Sequence, residues 1–186
     1  MKYYIIAGEA SGDLHGANLI KGLLKYNPSA QIRCWGGDLM QQAGGTLVRH
    51  YKDNAVMGIV EVLGKLKSIL NNMKFCKEDI LNYAPDALIL IDYPGFNLKI
   101  AKFAKKHHLK VIYYIPPKVW ARGESRIKQL RKYVDDTYII FPFEVGYFKQ
   151  KGLPVKYFGN PLTDNIARAI EGRDIGSFRK MHSLDE

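Results

Sequence analysis

Reactive side chains and glycines stand together at residues 8–13, whose sequence is GEASGD. Glycines let a backbone approach a ligand closely, and the free amides of a helix N-terminus bind anions. We therefore predict substrate contacts from Gly8, Ser11, Gly12 and Asp13. Helix capping by Ser11 or Asp13 explains the same residue types without any ligand. The glycine spacing differs from the G-x-G-x-x-G dinucleotide fingerprint, and the sequence has no phosphate-binding Gly-Lys-Ser/Thr loop.

A second candidate segment is residues 91–97, IDYPGFN, in which Asp92 ends an apolar run and precedes a Pro-Gly turn. Burying a carboxylate is costly unless hydrogen-bond donors satisfy it. A partly buried Asp92 with a tuned pKa is suited to act as a general base that takes a proton from an attacking hydroxyl. We also assign Asn97 to substrate binding. The alternative is an Asp92 that only stabilises the turn.

The third candidate segment, residues 115–122, has the sequence IPPKVWAR. Its prolines stiffen a turn that presents one aromatic ring and two cations. We predict that Lys118 and Arg122 meet a phosphate and that Trp120 stacks on a sugar ring. The alternative is a buried Trp120 beside solvated cations.

The three segments lie between short β-rich runs and longer helical patterns. The predicted strands are 3–7, 31–35, 87–91, 111–115, 137–141 and 155–158, and the predicted helices are 14–26, 59–73, 98–107, 126–133 and 144–151. This alternation with short loops predicts an α/β fold with a doubly wound parallel sheet. In such sheets ligands bind at the carboxyl ends of the strands, which is where all three segments are predicted to lie.

Composition limits the class of protein. The chain has 186 residues, 47% of them hydrophobic, and 28 Lys and Arg against 18 Asp and Glu give a net charge of +10. This length suits one domain, and the charge favours an anionic partner, whether a phosphorylated substrate, an acidic lipid surface or nucleic acid. Cys34 and Cys76 are far apart and lack metal-ligand spacing, which favours a reduced, cytosolic protein. No apolar run is long enough to cross a bilayer, so any membrane contact is expected to be peripheral.

Residues 56–73 form an amphipathic pattern with two interpretations. The apolar residues at helical spacing are Ile59, Val62, Leu63, Leu66, Ile69, Leu70 and Met73. Lysines 65, 67 and 74 flank this apolar face. A helix that packs into the core is the ordinary interpretation. The alternative is a surface that enters acyl chains while the lysines meet anionic head groups.

Four segments taken together carry a family resemblance. In order and spacing, residues 8–13, 56–64, 91–97 and 119–121 resemble the lipid-A-disaccharide synthases, and residues 141–144 and 159–161 are similar to later segments of that family. The resemblance implies a GT-B glycosyltransferase of two Rossmann-like domains, of which this chain is the N-terminal, acceptor-side one. It also implies transfer of 2,3-diacylglucosamine from UDP-2,3-diacylglucosamine to 2,3-diacylglucosamine 1-phosphate with inversion, giving lipid A disaccharide 1-phosphate. Neither a metal nor a cofactor is implied.

The resemblance also implies roles for individual residues. Asp92 matches the proposed catalytic base of the family, and Glu9 matches a residue important for activity. The apolar patch through which such enzymes meet membrane and acyl chains is matched by Val60, Val62, Leu63, Leu66, Ile69 and Leu70. This favours the membrane interpretation of the helix and a cytoplasmic location peripheral to the anionic surface of the inner membrane. Two departures, Pro116 in place of Ser and Arg122 in place of a second Trp, put the role of the third segment in question.

The expected domain organisation follows from the same resemblance. We expect residues 1–160 to form the acceptor-side domain, and residues 161–186 to form a helix and the start of a connection to a missing donor-binding domain. The chain alone is then not expected to turn over.

Two other classes remain open. A relative of UDP-N-acetylglucosamine 2-epimerase would share the Rossmann-like halves but has no reason for an apolar, basic helix. A basic nucleic-acid-binding module is suggested only by the charge, and the cations form no recognised nucleic-acid motif.

Overall fold

The first strand shows how the sheet is built. Its side chains alternate between two hydrophobic clusters, because successive residues of a strand point to opposite faces. Tyr4 and Ile6 pack on one face, and Ile5 and Ala7 pack on the other. All four are buried, as expected for a central strand of a parallel sheet covered by helices on both sides.

The structure is a computed structural model, and it describes residues 1–54, 62–121, 123–170 and 175–181. Within these ranges the strands are β1 (Lys2–Ala7), β2 (Gln31–Gly36), β3 (Thr46–His50), β4 (Ala87–Ile91), β5 (Lys110–Tyr114), β6 (Asp136–Ile139) and β7 (Lys156–Tyr157). The helices are α1 (Ala10–Tyr26), α2 (Asp38–Gln42), α3 (Val62–Tyr83), α4 (Pro94–Lys106), α5 (Arg126–Tyr133), α6 (Phe143–Gln150), α7 (Pro161–Ile170) and α8 (Ile175–Met181). A short 3-10 turn spans Tyr51–Asn54.

The strands form one parallel sheet in the order β3-β2-β1-β4-β5-β6-β7. The order reverses between β1 and β4, which places a topological switch point at the carboxyl ends of these two strands. The predicted Rossmann-like, doubly wound sheet is therefore confirmed. Strand β3 and helix α2 are absent from the sequence prediction, because Thr46–His50 contains only two apolar residues and Asp38–Gln42 is barely one turn long.

Two helices begin one turn earlier than the sequence predicts. Helix α1 begins at Ala10 and α4 at Pro94. Proline is well suited to the first helical position, because its missing N–H would have no partner there. Gly12 lets the first turn of α1 lie against β1, since a Cβ at this position would stand 3.0 Å from the Cβ of Ala7. As a result, most of the first candidate segment belongs to a helix.

Helix α3 both packs into the core and leaves apolar residues outside it. Met73, Cys76 and Ile80 are buried, whereas Ile69 and Leu70 are 41% and 59% exposed. The core interpretation is therefore correct for Met73, whereas Ile69 and Leu70 are exposed and their contact with membrane or acyl chains stays a prediction. Val60 and the side chains of Val62, Leu63 and Leu66 lie outside the described residues.

The remaining predictions concern thiols and membrane spans. Cys34 and Cys76 are both buried and free. No helix in the described ranges has the length and hydrophobicity needed to cross a bilayer.

Candidate functional site

The first and second candidate segments meet at the switch point of the sheet. Gly8 lies against the ring of Tyr93, and a Cβ at Gly8 would stand 2.3 Å from Tyr93 Cγ. Burial and the nearby Glu9 carboxylate raise the pKa of the Tyr93 hydroxyl. The contact between the two segments requires a residue without a side chain at position 8, and the half-buried Gly8 stays a predicted substrate contact.

The N-terminus of α1 is open at this edge. Glu9 is its N-cap residue, and no side chain caps the helix. Glu9 and Ser11 are exposed. The first amides of α1 therefore have no side-chain partner among the described residues, and both polar side chains can reach a ligand.

Asp13 has a different role from the predicted one. Its carboxylate is almost fully buried and accepts hydrogen bonds from three backbone amides at the start of α2. The distances are 2.8 Å to Gly37 N, 3.1 Å to Leu39 N and 3.0 Å to Met40 N. The capping alternative is therefore wrong as stated for α1, whose N-cap residue is Glu9 and which has no side-chain cap. Asp13 instead caps α2, a helix that the sequence did not predict. Gly12 is also buried, so the substrate contacts predicted for Gly12 and Asp13 are wrong.

The backbone around Asp92 is strained. Asp92, Tyr93 and Ile115 have φ values of 44°, 47° and 60°. Left-handed backbone is unfavourable for residues other than glycine, and most of all for a β-branched residue such as Ile115. The three residues are connected, since Asp92 N donates to Ile115 O at 3.1 Å. Clustered strain of this kind is characteristic of functional sites.

Asn97 stabilises the strained backbone at Asp92 through hydrogen bonds from its buried side chain. It is fully buried, and its Nδ2 donates to the carbonyls of Ile6, Ile91 and Asp92 at 3.4, 3.2 and 2.8 Å. Tyr113 Oη also donates to the Asp92 carbonyl, at 2.6 Å. The predicted contact between Asn97 and substrate is wrong, because the side chain stabilises the strand ends and is not accessible.

The Asp92 carboxyl group has the properties expected of a base. Burial raises its pKa, and the Tyr93 amide, Lys118 and His15 counteract part of that rise. The group is only partly buried, so it remains within reach of a ligand. A carboxylate with a raised pKa is a stronger proton acceptor than an ordinary one.

His15 is a site residue that the sequence analysis missed. It lies on α1, is 8% exposed, and its Nδ1 has no hydrogen-bond partner among the described residues. Burial lowers its pKa, and the Asp92 carboxylate offsets part of that change. His15 and Asp92 therefore influence each other's pKa. The position of His15 one turn into the helix that follows β1 was the available signal, but only the fold shows that this turn faces β4.

The third segment is anchored by a buried carboxylate. Glu144, on the first turn of α6, is fully buried and accepts hydrogen bonds from Lys118 Nζ at 3.2 Å and Trp120 Nε1 at 3.0 Å. The Trp120 ring is nevertheless 42% exposed and packs edge-on against Phe143. The alternative of a buried Trp120 is therefore wrong, and Lys118 is paired with Glu144. Pro116 is buried, and Arg122 lies outside the described residues.

A separate cleft lies between α3 and α4. Its volume is about 390 Å³, and its lining residues are Ile69, Leu70, Met73, Lys77, Lys99, Lys102, Phe103 and Lys106. None of its four lysines pairs with a carboxylate within the described ranges. The cleft therefore combines an apolar floor with uncompensated positive charge.

Metal binding is not indicated where the chain is described. In residues 1–54, 62–121, 123–170 and 175–181, no group of three His, Cys, Asp or Glu side chains gathers in a way that would hold an ion.

Comparisons with known proteins show similarity in sequence to one family and similarity in fold to solved structures. A family profile described as Lipid-A-disaccharide synthetase matches residues 3–184. The lipid-A-disaccharide synthase of Geobacter sulfurreducens is 43% identical over 170 residues, which cover 91% of this chain and 44% of that protein. The enzyme of the same name from Coxiella burnetii is 39% identical over 171 residues, covering 92% of this chain and 46% of that protein. The chain thus spans less than half the length of these relatives.

Solved structures are similar at the level of fold. The UDP-GlcNAc 2-epimerase from Neisseria meningitidis, bound to UDP-GlcNAc, aligns with a TM-score of 0.68 and 12% identity, over 97% of this chain and 52% of that one. A second UDP-N-acetylglucosamine 2-epimerase aligns with a TM-score of 0.63 and 12% identity, over 86% of this chain and 48% of that one. At such identities the likeness concerns the fold alone.

Proposed function

The chain belongs to the lipid-A-disaccharide synthetase family, and we propose that it forms the acceptor-side half of a glycosyltransferase that assembles the lipid A disaccharide. The donor is UDP-2,3-diacylglucosamine and the acceptor is 2,3-diacylglucosamine 1-phosphate. The observation that carries the proposal is the partly buried Asp92 carboxyl, with its raised pKa, at the switch point of the sheet.

In the proposed reaction Asp92 acts as the general base. Its carboxylate takes the proton of the acceptor 6-hydroxyl while that oxygen attacks the anomeric carbon of the donor. The bond from the anomeric carbon to the UDP oxygen breaks, and UDP leaves with the bonding electron pair. A single displacement of this kind inverts the anomeric configuration. The exposed Glu9 stands beside Tyr93 and supports activity as a second acidic group.

Acceptor binding is assigned to groups at the same edge. The uncapped amides of α1, together with Ser11 and Lys118, are suited to meet the acceptor 1-phosphate. The exposed ring of Trp120 is suited to stack on the sugar. The chain spans less than half the length of these relatives, and we assign donor binding to the part that it does not span. The chain alone is therefore expected to be inactive.

We further propose that the domain docks on the anionic cytoplasmic surface of the inner membrane. The exposed Ile69 and Leu70 and the four lysines of the α3–α4 cleft support this, because apolar side chains enter the acyl boundary while cations meet head groups. Val60, Val62, Leu63 and Leu66 remain predicted members of the same patch.

Binding of acylated and deacylated acceptor tests the proposed substrate class. The chain is titrated with 2,3-diacylglucosamine 1-phosphate and with glucosamine 1-phosphate at concentrations below micelle formation, with calorimetric detection. We expect the acylated compound to bind at least tenfold more tightly, since burial of acyl chains adds affinity. Equal affinity would favour an epimerase-like sugar enzyme. Retention on DNA but not on anionic liposomes at matched salt would favour a nucleic-acid-binding module.

A further inference from the structure

Glu144 connects the loops that follow two neighbouring strands. Its carboxylate accepts from Lys118 Nζ and Trp120 Nε1 in the loop after β5, and from Phe141 N after β6, at 3.2, 3.0 and 3.2 Å. The Glu144 side chain is fully buried, whereas the Lys118 side chain is 31% exposed. A buried carboxylate is tolerated only when donors surround it. All three donors belong to the rim of the candidate site.

The three hydrogen bonds restrict how Lys118 and Trp120 can move. The indole N–H of Trp120 points inward to Glu144, which leaves part of the ring accessible. The Lys118 ammonium is held between Glu144 Oε1 and the ring of Phe141, 4.7 Å from the ring centroid. A rotamer change at either residue would leave the buried carboxylate with an unfilled acceptor position, which is unfavourable.

We propose that Glu144 is a positioning residue, which holds the Lys118 ammonium and the Trp120 ring at the rim of the site, where the Lys118 charge acts on the Asp92 carboxylate. Glu144 touches neither acceptor nor donor in this arrangement. It acts through the ammonium and the indole that it fixes. The inference rests on the proposed function only for the role of Asp92 as base, because the coupling between the carboxylates is a property of the chain by itself.

The charges around the two carboxylates determine the sign of the expected effect. Asp92 is faced by His15 from α1, by the Tyr93 amide and by Lys118, and Glu9 lies near Tyr93. Glu144 is faced by Lys118 and Trp120. Replacing Glu144 with Gln removes one negative charge and frees Lys118 to approach Asp92. Both changes stabilise the Asp92 anion, so the pKa of Asp92 should fall.

The test measures two signals on the 186-residue chain by NMR. The chain has two tryptophans, so its spectrum should show two indole N–H peaks, one from the buried Trp35 and one from Trp120. Glu144→Gln should shift the Trp120 peak and leave the Trp35 peak in place. Titration of the Asp92 carboxyl carbon should show its pKa lower by roughly 0.5 or more. Glu124→Gln, which removes an exposed carboxylate paired with Lys151, is the matched control and should change neither signal.

Lys118→Met separates positioning from a structural role. This variant should raise the pKa of Asp92, and in the double variant Glu144→Gln/Lys118→Met most of the fall caused by Glu144→Gln should disappear. A purely structural Glu144 would alter stability without moving the Asp92 titration. An unchanged Asp92 pKa in folded Glu144→Gln would overturn the proposal. If Glu144→Gln does not fold, Lys118→Met is measured by itself. An unchanged Trp120 peak together with an unchanged Asp92 pKa in Lys118→Met would overturn the proposal.

The outcomes also separate this inference from the proposed function. A shifted Asp92 pKa in a protein that does not prefer acylated acceptor would leave the coupling intact and remove the substrate assignment. Preference for acylated acceptor with an unchanged Asp92 pKa would support the substrate assignment and overturn the coupling.

Discussion

Asp92 lies in surroundings that are unfavourable for folding and that suit the proposed role of a base. Partial burial disfavours its anion, and the left-handed backbone at Asp92 and Tyr93 adds strain. Buried Asn97 and Tyr113 hold the Asp92 carbonyl and keep the carboxyl group at the edge of the sheet.

The raised pKa of Asp92 predicts a stability effect that depends on pH. A carboxyl whose pKa is higher in the folded state contributes stability when protonated, and this contribution is lost as the pH rises through the folded-state pKa. Asp92→Asn should therefore modestly raise the unfolding free energy at pH 7 and leave it nearly unchanged at pH 3. Urea unfolding of the chain at both pH values measures this. The quantity compared is the unfolding free energy of Asp92→Asn minus that of the unmodified chain. A difference that is more negative at pH 7 than at pH 3 would contradict the electrostatic account.

Residue roles were predictable from the sequence only where the relevant surroundings are local. Asp92 follows a strand and precedes a Pro-Gly turn, so its place at the sheet edge could be inferred. The partners of Asn97 and Asp13 come from distant segments, β1 and α2, and spacing along the chain does not reveal them. His15 and Glu144 were missed for the same reason.

At the scale of elements, α2 depends on a carboxylate from another helix. Asp13→Ala would leave three amides at the start of α2 without their acceptor and should destabilise the chain by about 1–2 kcal/mol. Thermal and urea unfolding measure the loss. Asp38→Ala, which removes an exposed carboxylate from α2 itself, should change stability far less. Equal effects of the two substitutions would show that the cap is unimportant.

Helix α3 carries the prediction for membrane docking. Ile69→Ser with Leu70→Ser should weaken binding to anionic liposomes about tenfold while the unfolding temperature stays nearly constant, because both side chains are exposed. Flotation with phosphatidylglycerol vesicles and thermal unfolding are the two measurements. Leu81→Ser is the matched control, since Leu81 is 45% exposed on the same helix and outside the cleft. Unchanged flotation would remove these side chains from the docking surface, and a collapse in stability would assign them to the core.

Element boundaries were less predictable than element types. The strands other than β3 could be found from their apolar runs. The close approach of Gly12 to Ala7 at the start of α1 is not visible in the sequence, and Pro94, which begins α4, was interpreted as part of a turn. The sequence also left open whether the apolar face of α3 packs into the core or lies on the surface. An amphipathic pattern shows that one face is apolar, and only the positions of β1, β2 and α4 determine how much of that face is covered.

At the scale of the whole molecule, both the distribution of positive charge and the order of the strands are consistent with the proposed reaction. The net charge of +10 includes the cleft lysines on one side and Lys118 at the strand ends, where an anionic lipid surface and an acceptor phosphate would be met. The switch point between β1 and β4 brings Glu9, His15 and Asp92 to one edge of the sheet. We propose that this edge is the acceptor site and that the donor is bound by a part of the relatives that this chain does not span.

The most direct test is transfer by a hybrid enzyme in which this chain replaces the matching segment of the Geobacter sulfurreducens relative. Disaccharide formation is measured from UDP-2,3-diacylglucosamine and 2,3-diacylglucosamine 1-phosphate for the hybrid and for its Asp92→Asn and Asp38→Asn variants. We predict that Asp92→Asn lowers kcat by about 100-fold or more, the usual contribution of a general base, and that Asp38→Asn leaves it unchanged. A folded Asp92→Asn hybrid that transfers within a few-fold of the unmodified one would contradict the assignment of Asp92 as the base.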